Sequence, residues 1–238
     1  MVGKLRHISK RFLFGISDLP KRFKRFFLHF LWWFPFRPEK DQYIIIKNPI
    51  EWLAAIPFYI LDICLIPEFY EAVFEMAKWN IRYLTRDEHA VVGAIFKNSI
   101  DSGRIRLDEK AIMGPKQRNF AYVSFQTINS YGKMSKPILI HECVHVWQFL
   151  KFGSVYIMKA LLAQHSKQGY DYGSVPGLLQ MQADAKKFCA FNFEQQGDIV
   201  MDYFKLLNRP PELVNEKILD LYRTFVYDLF KDSQKDVA

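Results

Sequence analysis

The chain is short of cysteine, of repeats and of long apolar runs, and each shortage removes a class of protein. Its three cysteines, Cys64, Cys143 and Cys189, are odd in number and widely scattered. They make no disulfide framework, and nothing demands an oxidising compartment. No stretch reaches the roughly 18 to 20 uninterrupted apolar residues that a spanning helix needs. "FFLHFLWWFPF" (26–36) is short and ends at prolines, and "WLAAIPFYILDICLI" (52–66) carries Pro57 and Asp62. No small-residue cleavage site follows the first charges, so a cleaved secretory signal is not expected. Acid is scarce in one place only. Residues 1–38 hold nine Lys/Arg against Asp18 alone, while residues 39–238 are balanced, so the net charge of +8 belongs to the arm. Polyanion binding is therefore an expectation for the arm and not for the body.

What is present is apolar and aromatic: half of the 238 residues are hydrophobic and 16% aromatic, ample for a packed core. The length suits one medium domain with additions. Residues 1–38 form a basic aromatic arm, 39–82 an apolar helical segment broken near Pro57 and Pro67, and 83–238 the main domain with a C-terminal helix. The arm interleaves Lys/Arg with Phe/Trp, a pattern suited to an anionic membrane surface or a partner; four aromatics among Leu31–Phe36 are costly to leave in water. The other reading is a solvated tail with a few docked aromatics. No motif supports nucleic-acid binding. The low-acid start also has the charge pattern of a transit peptide, but is poor in serine.

Thr85 and Glu88 form a capping box ahead of a helix, and "GRIRL" reads as a short strand. "FAYVSFQTI" alternates with period two and reads as one strand, Ala121, Val123 and Phe125 on one face. Ser135 and Pro137 open the next helix. A polar loop, "QHSKQGYDYGSVPG", leads to a helical region from about 178 to 207. A last amphipathic helix carries Val214, Ile218, Leu221, Phe225 and Leu229.

The chemistry sits in "ILIHECVHVWQF" (138–149). At a spacing of four, His141 and His145 share one helix face and can offer imidazoles to one ion. Glu142 lies about 100° around from His141, off the ligand line but within reach of a metal-held water. This is the H-E-x-x-H arrangement: two Zn2+ ligands and a carboxylate as general base. Zinc would acidify the water and polarise a scissile carbonyl, and Glu142 would carry the proton to the leaving amine. A chain this long shows the pattern by chance about once in a hundred. Moreover, Ile140, Cys143, Val144, Trp147 and Leu150 bury the helix, where lone His and Glu would be costly. The third ligand must come from downstream, with His165, Asp184 and Glu194 as candidates. Glu194 has Asp198 at i+4, so one carboxylate could bind the ion while the next holds a ligand histidine from behind.

Several pieces in order, "LTRDEHAVVGAIF", "SIDSGRIRL", "ILIHECVHVWQF", "GYDY" and "FNFEQQGDIVMDYF", resemble a bacterial zincin-type metallopeptidase family found in Vgr-related proteins and extracellular contractile-injection-system core proteins. The resemblance spans roughly residues 83–207. It implies an α+β, zincin-like fold: a small, mostly antiparallel sheet, an active-site helix, a second ligand helix, and helix-rich N- and C-terminal additions. It carries the ligand positions to His141, His145 and Glu194 and the base position to Glu142. Glu194 to Asp198 also fits the Glu-x-x-x-Asp form of the gluzincins, with Gly197 where relatives often have alanine. In zincins the strand before the active-site helix commonly pairs with substrate backbone, a place "FAYVSFQTI" can take. Tyr170, Tyr172 and His165 are candidate oxyanion donors, with plain packing or exposure as the alternative for each.

The expected function is a zinc-dependent metallopeptidase acting on a peptide or protein, with residues 1–38 as its candidate anchor on an anionic membrane. The alternatives are a non-catalytic protein that zinc merely staples, or a self-processing, secretion-associated effector. The compartment stays open between bacterial cytoplasm, peripheral membrane and secretion.

Overall fold

The computed structural model describes residues 2–31, 46, 48–113 and 120–231. The aromatic run at 32–36 and the end of the 109–119 loop lie outside them.

Three helices come first: α1 (Val2–Leu31), α2 (Pro49–Ile63) and α3 (Ile66–Ala77). α2 runs straight through Pro57, against the expected break there. The chain turns instead at Leu65, held at φ 56°, and Pro67 then opens α3. α1 is no solvated tail. It packs on α2 and α3, and its Arg11, Arg22 and His29 are buried. Arg11 pairs with Glu71 and Glu75, and Arg22 clasps Glu68 with both terminal nitrogens.

A small sheet follows, built from β1 (Arg82–Tyr83), β2 (Arg106–Asp108), β3 (Ala121–Ser124) and β4 (Thr127–Ser130) in the order β1-β2-β4-β3. The β1–β2 and β3–β4 pairs are antiparallel and β2–β4 is parallel, so the sheet is mixed. α4 (Arg86–Phe96) sits between β1 and β2, and Thr85 and Glu88 close its capping box reciprocally. The stretch expected as one strand is a hairpin. Phe125 stands at φ 59° in a tight turn between β3 and β4. No glycine or asparagine marks that turn; distant side chains hold it. The Tyr156 hydroxyl accepts from Phe125 N (3.3 Å) and donates to Val123 O (2.8 Å), while Glu71 accepts from Gln126 N (2.8 Å).

The rest is helical: α5 (Lys136–Phe152), α6 (Val155–Gln164), α7 (Ser174–Ala183), α8 (Phe193–Leu207) and α9 (Glu216–Lys231). Ser135 stands at the α5 N-cap without a side-chain cap, and Pro137 is in the first turn. The helical region expected over 178–207 is two helices, because Asn192 and Gln195 form a fresh capping box that starts α8. α5 is buried on nearly all sides and packs most extensively against α8. The N-terminal layer braces its far end: Arg25 donates to Lys151 O (3.1 Å), satisfying a helix-end carbonyl. Asp62 accepts from Ser154 N and Oγ at the start of α6. The whole is α+β and helix-rich, with α5 at its centre.

Candidate metal centre

α5 delivers His141, Glu142 and His145, and α8 delivers Glu194; all four are buried. Glu194 Oε2 lies 3.4 Å from His141 Nε2 and 3.3 Å from His145 Nε2. The three ligand atoms all lie within 4.8 Å of one another. Ligands about 2.05 Å from a tetrahedral zinc stand about 3.3 Å apart, so Glu194's spacing to both histidines suits such an ion. Glu194 Oε2 is also buried without a hydrogen-bond partner, a cost that a cation would remove.

Each of these three side chains is held from behind. His141 Nδ1 donates to Asp198 Oδ1 (2.9 Å), so its Nε2 is the atom free for an ion. His145 Nδ1 donates to Gln148 Oε1 (2.7 Å). The Gln148 amide is fixed in turn by Phe193 O (3.1 Å) and Gln196 Oε1 (3.0 Å). From α6, Gln164 Nε2 donates to Glu194 Oε1 (2.8 Å), which leaves Oε2 for the histidines.

Gly197 makes this approach possible. A Cβ there would stand 2.5 Å from His141 Cε1 and 2.7 Å from Nδ1. In this arrangement the missing side chain leaves the room that the His141 ring occupies.

Charge is tightly coupled among these groups. Burial works to lower His141, but its bond to Asp198 and its contact with Glu194 outweigh it and push the imidazole up to about 10. His145 moves up as well, where Glu194 overcomes burial. Burial alone would raise Glu194, yet His145 and His141 hold it well below the usual carboxylate range. Glu142 goes the other way: burial raises it against the pull of both histidines, and its Oε2 has no hydrogen-bond partner.

A cleft of about 300 Å³ opens on this group, lined by His141, Glu142, His145, Glu194, Tyr170 and residues of β3. β3 is the sheet's edge among the described residues. Tyr170 lies in the loop before α7, its ring centroid 6.0 Å from that of His141. Burial and the carboxylates of Glu194 and Glu142 keep its phenol protonated well above its ordinary range.

The other candidates lie elsewhere. Tyr172 packs inward, its hydroxyl 2.6 Å from both Asp202 Oδ2 and Tyr222 Oη. His165 is exposed at the end of α6, its ring bonded to Leu161 O. Asp184 is exposed and accepts from Gln180. Gln148, Gln164 and Gln196 have no role that the sequence pattern marks. Gln148 stands at i+3 from His145, a spacing that could have marked it. Gln164 is on a separate helix and gives no such signal.

Neither a family model nor a solved structure matches the chain. Among characterised proteins it is similar to the type VI secretion system spike protein VgrG2b of Pseudomonas aeruginosa, 30% identical over 145 residues. The likeness covers 52% of this chain and only 13% of that protein. The comparison therefore links part of the chain to a Vgr-related protein.

Proposed function

We propose that the protein is a zinc-dependent metallopeptidase with a zincin-like, gluzincin-type site, which hydrolyses a peptide or protein laid along β3. The observation that carries this reading is the buried convergence of His141, His145 and Glu194 beside a carboxylate, Glu142, that has no hydrogen-bond partner on Oε2. Two histidines and a glutamate are the donor set of catalytic zinc sites that keep one position open. When bound, zinc supplies a Lewis acid that polarises the scissile carbonyl and acidifies a water.

The chain's own residues do the rest. Glu142 accepts the water's proton and returns it to the leaving nitrogen; burial raises its pKa above the ordinary carboxylate value, which makes it a stronger base. Asp198 and Gln148 keep both Nε2 atoms aimed at one point. Tyr170, with its phenol protonated at the mouth of the site, offers a hydrogen bond to the developing oxyanion. The edge of β3 offers backbone groups to an extended peptide. The stretch shared with a secretion spike protein suits a bacterial origin.

Purified protein is expected to carry about one zinc per chain and to cleave unstructured protein substrates. Glu142→Gln should keep the zinc and lose at least about 10²-fold in turnover. Full hydrolysis by that variant would remove the mechanism. Normal zinc content with no hydrolysis by the wild type on any protein substrate would favour the zinc-stapled binding protein.

A further inference from the structure

The N-terminal layer is built inside out. On α3, Glu68, Glu71 and Glu75 are buried, while Ile66, Phe69, Val73 and Met76 are exposed. α1 repeats the inversion: Arg11 and Arg22 face inward, and Leu13, Ile16, Phe23 and Phe27 face out. α2 is apolar along its outer side too, at Ile50, Leu53 and Ile60, with Asp62 turned inward. More than half of the large apolar side chains exposed among the described residues belong to these helices. A water-facing layer puts charge outward, and patches of this kind mark a surface meant to be covered.

We infer that the outer face of α1–α3 is a seat on an anionic lipid bilayer. Charge placement chooses lipid over protein as the occupant. At 3.6 residues per turn, Leu13, Ile16, Phe23 and Phe27 fall within an arc of about 80° on α1, and Arg6, Lys10 and Lys24 within about 40° beside it. All three of these basic residues are exposed. An apolar stripe with a basic shoulder is the pattern of a helix lying in the headgroup plane, rings in the acyl boundary and cations among the phosphates.

The seat lies on the membrane and does not cross it. No single described helix is long and apolar enough to span, and α2 with α3 would pass only as a pair bent by 61°. The buried acids of α2 and α3 are committed to Arg11, Arg22 and Ser154, which ties both helices to the body. Exposed apolar side chains are thus not confined to the basic arm that the sequence marks, since α2 and α3 carry them too.

Flotation of the full chain with vesicles tests this. The chain should float with phosphatidylcholine vesicles holding about 30% phosphatidylglycerol, less well as salt rises, and weakly with pure phosphatidylcholine. Phe27 and Phe69 are 63% and 61% exposed, so Phe27→Asp with Phe69→Asp should leave the fold's melting curve intact. That pair should cut vesicle binding at least about tenfold. Exchanging Arg6, Lys10 and Lys24 for glutamate should remove the salt-sensitive part. Unchanged flotation of the Phe27→Asp/Phe69→Asp protein overturns the inference. So does a dimer broken by those substitutions with no flotation of the wild type, which would make a second copy the occupant. Binding should be the same in Glu142→Gln and after chelation, so failure here leaves the peptidase reading untouched.

Discussion

At the scale of single residues, the candidate site depends on groups outside His141, His145 and Glu194. Gly197→Ala would set a methyl 2.5 Å from His141 Cε1, and the ring must tilt away from Asp198 and from the point it shares with His145. Zinc affinity, read by competition with a chelator, is expected to fall about 10- to 100-fold, with little change in helix content. An unchanged affinity would mean that α8 can slide enough to make room. The contrast between Gly197 and its neighbours shows what a sequence displays. His141, Glu142 and His145 are legible because one helix fixes their geometry through spacing alone. Glu194 is legible through its i+4 partner Asp198 and the resemblance. Gly197 and Gln164 were not, because their importance lies in how close α8 and α6 come to α5, a distance that no local pattern encodes.

At the scale of elements, the same rule explains the hairpin. Thr85, Glu88 and Asn192 act on their own backbone within three residues, so the starts of α4 and α8 are written locally, although the sequence over 178–207 reads only as a helical region with no boundary marked inside it. The β3–β4 turn is imposed from outside by Tyr156 and Glu71, and its period-two pattern reads on as though unbroken. Tyr156→Phe leaves the buried Phe125 N–H and the Val123 carbonyl without that partner, a loss of about 1–3 kcal/mol in urea unfolding. Because β3 lines the cleft, KM for peptides should rise more than turnover falls. A second element-level test uses the joint of β1 with α4. Burial opposes it, but Arg82 and the Thr85 cap hold Glu88 down at about 2. A depressed carboxylate contributes stability that is complete above its unfolded value of about 4.3 and is lost as pH falls through the folded one. Urea midpoints should therefore decline between about pH 5 and pH 2, and Arg82→Met should flatten that decline by on the order of 1 kcal/mol, since the pair is partly exposed. Equal slopes in the two proteins would show that the pair does nothing.

At the scale of the whole molecule, the proposed metal centre and the buried ion pairs would hold the fold separately, and they can be told apart thermodynamically. The candidate metal centre joins α5 to α8. The buried ion pairs join α1 to α3 and, through Glu71, to the β3–β4 hairpin. A ligand that binds only the folded state adds about 4 kcal/mol at a thousand times its Kd, so zinc should raise the melting temperature, and Glu194→Ala should abolish the rise. Arg11→Met would remove the guanidinium that pairs with the buried Glu71 and Glu75, costing about 3–5 kcal/mol. Deleting α1 outright would take Arg22 from Glu68 as well, which is why the membrane inference is tested by exchanging surface side chains and not by truncation. None of the three ligands comes from α1 or α3, so the zinc increment should be the same in Arg11→Met as in the wild type, to within about 0.5 kcal/mol. KM should nonetheless rise in that variant, because Arg11 and Glu71 together anchor Thr127 and the turn that holds β3 beside the cleft. A zinc increment that shrinks with Arg11→Met would mean that the N-terminal layer shapes the metal centre itself, and that the two devices are one.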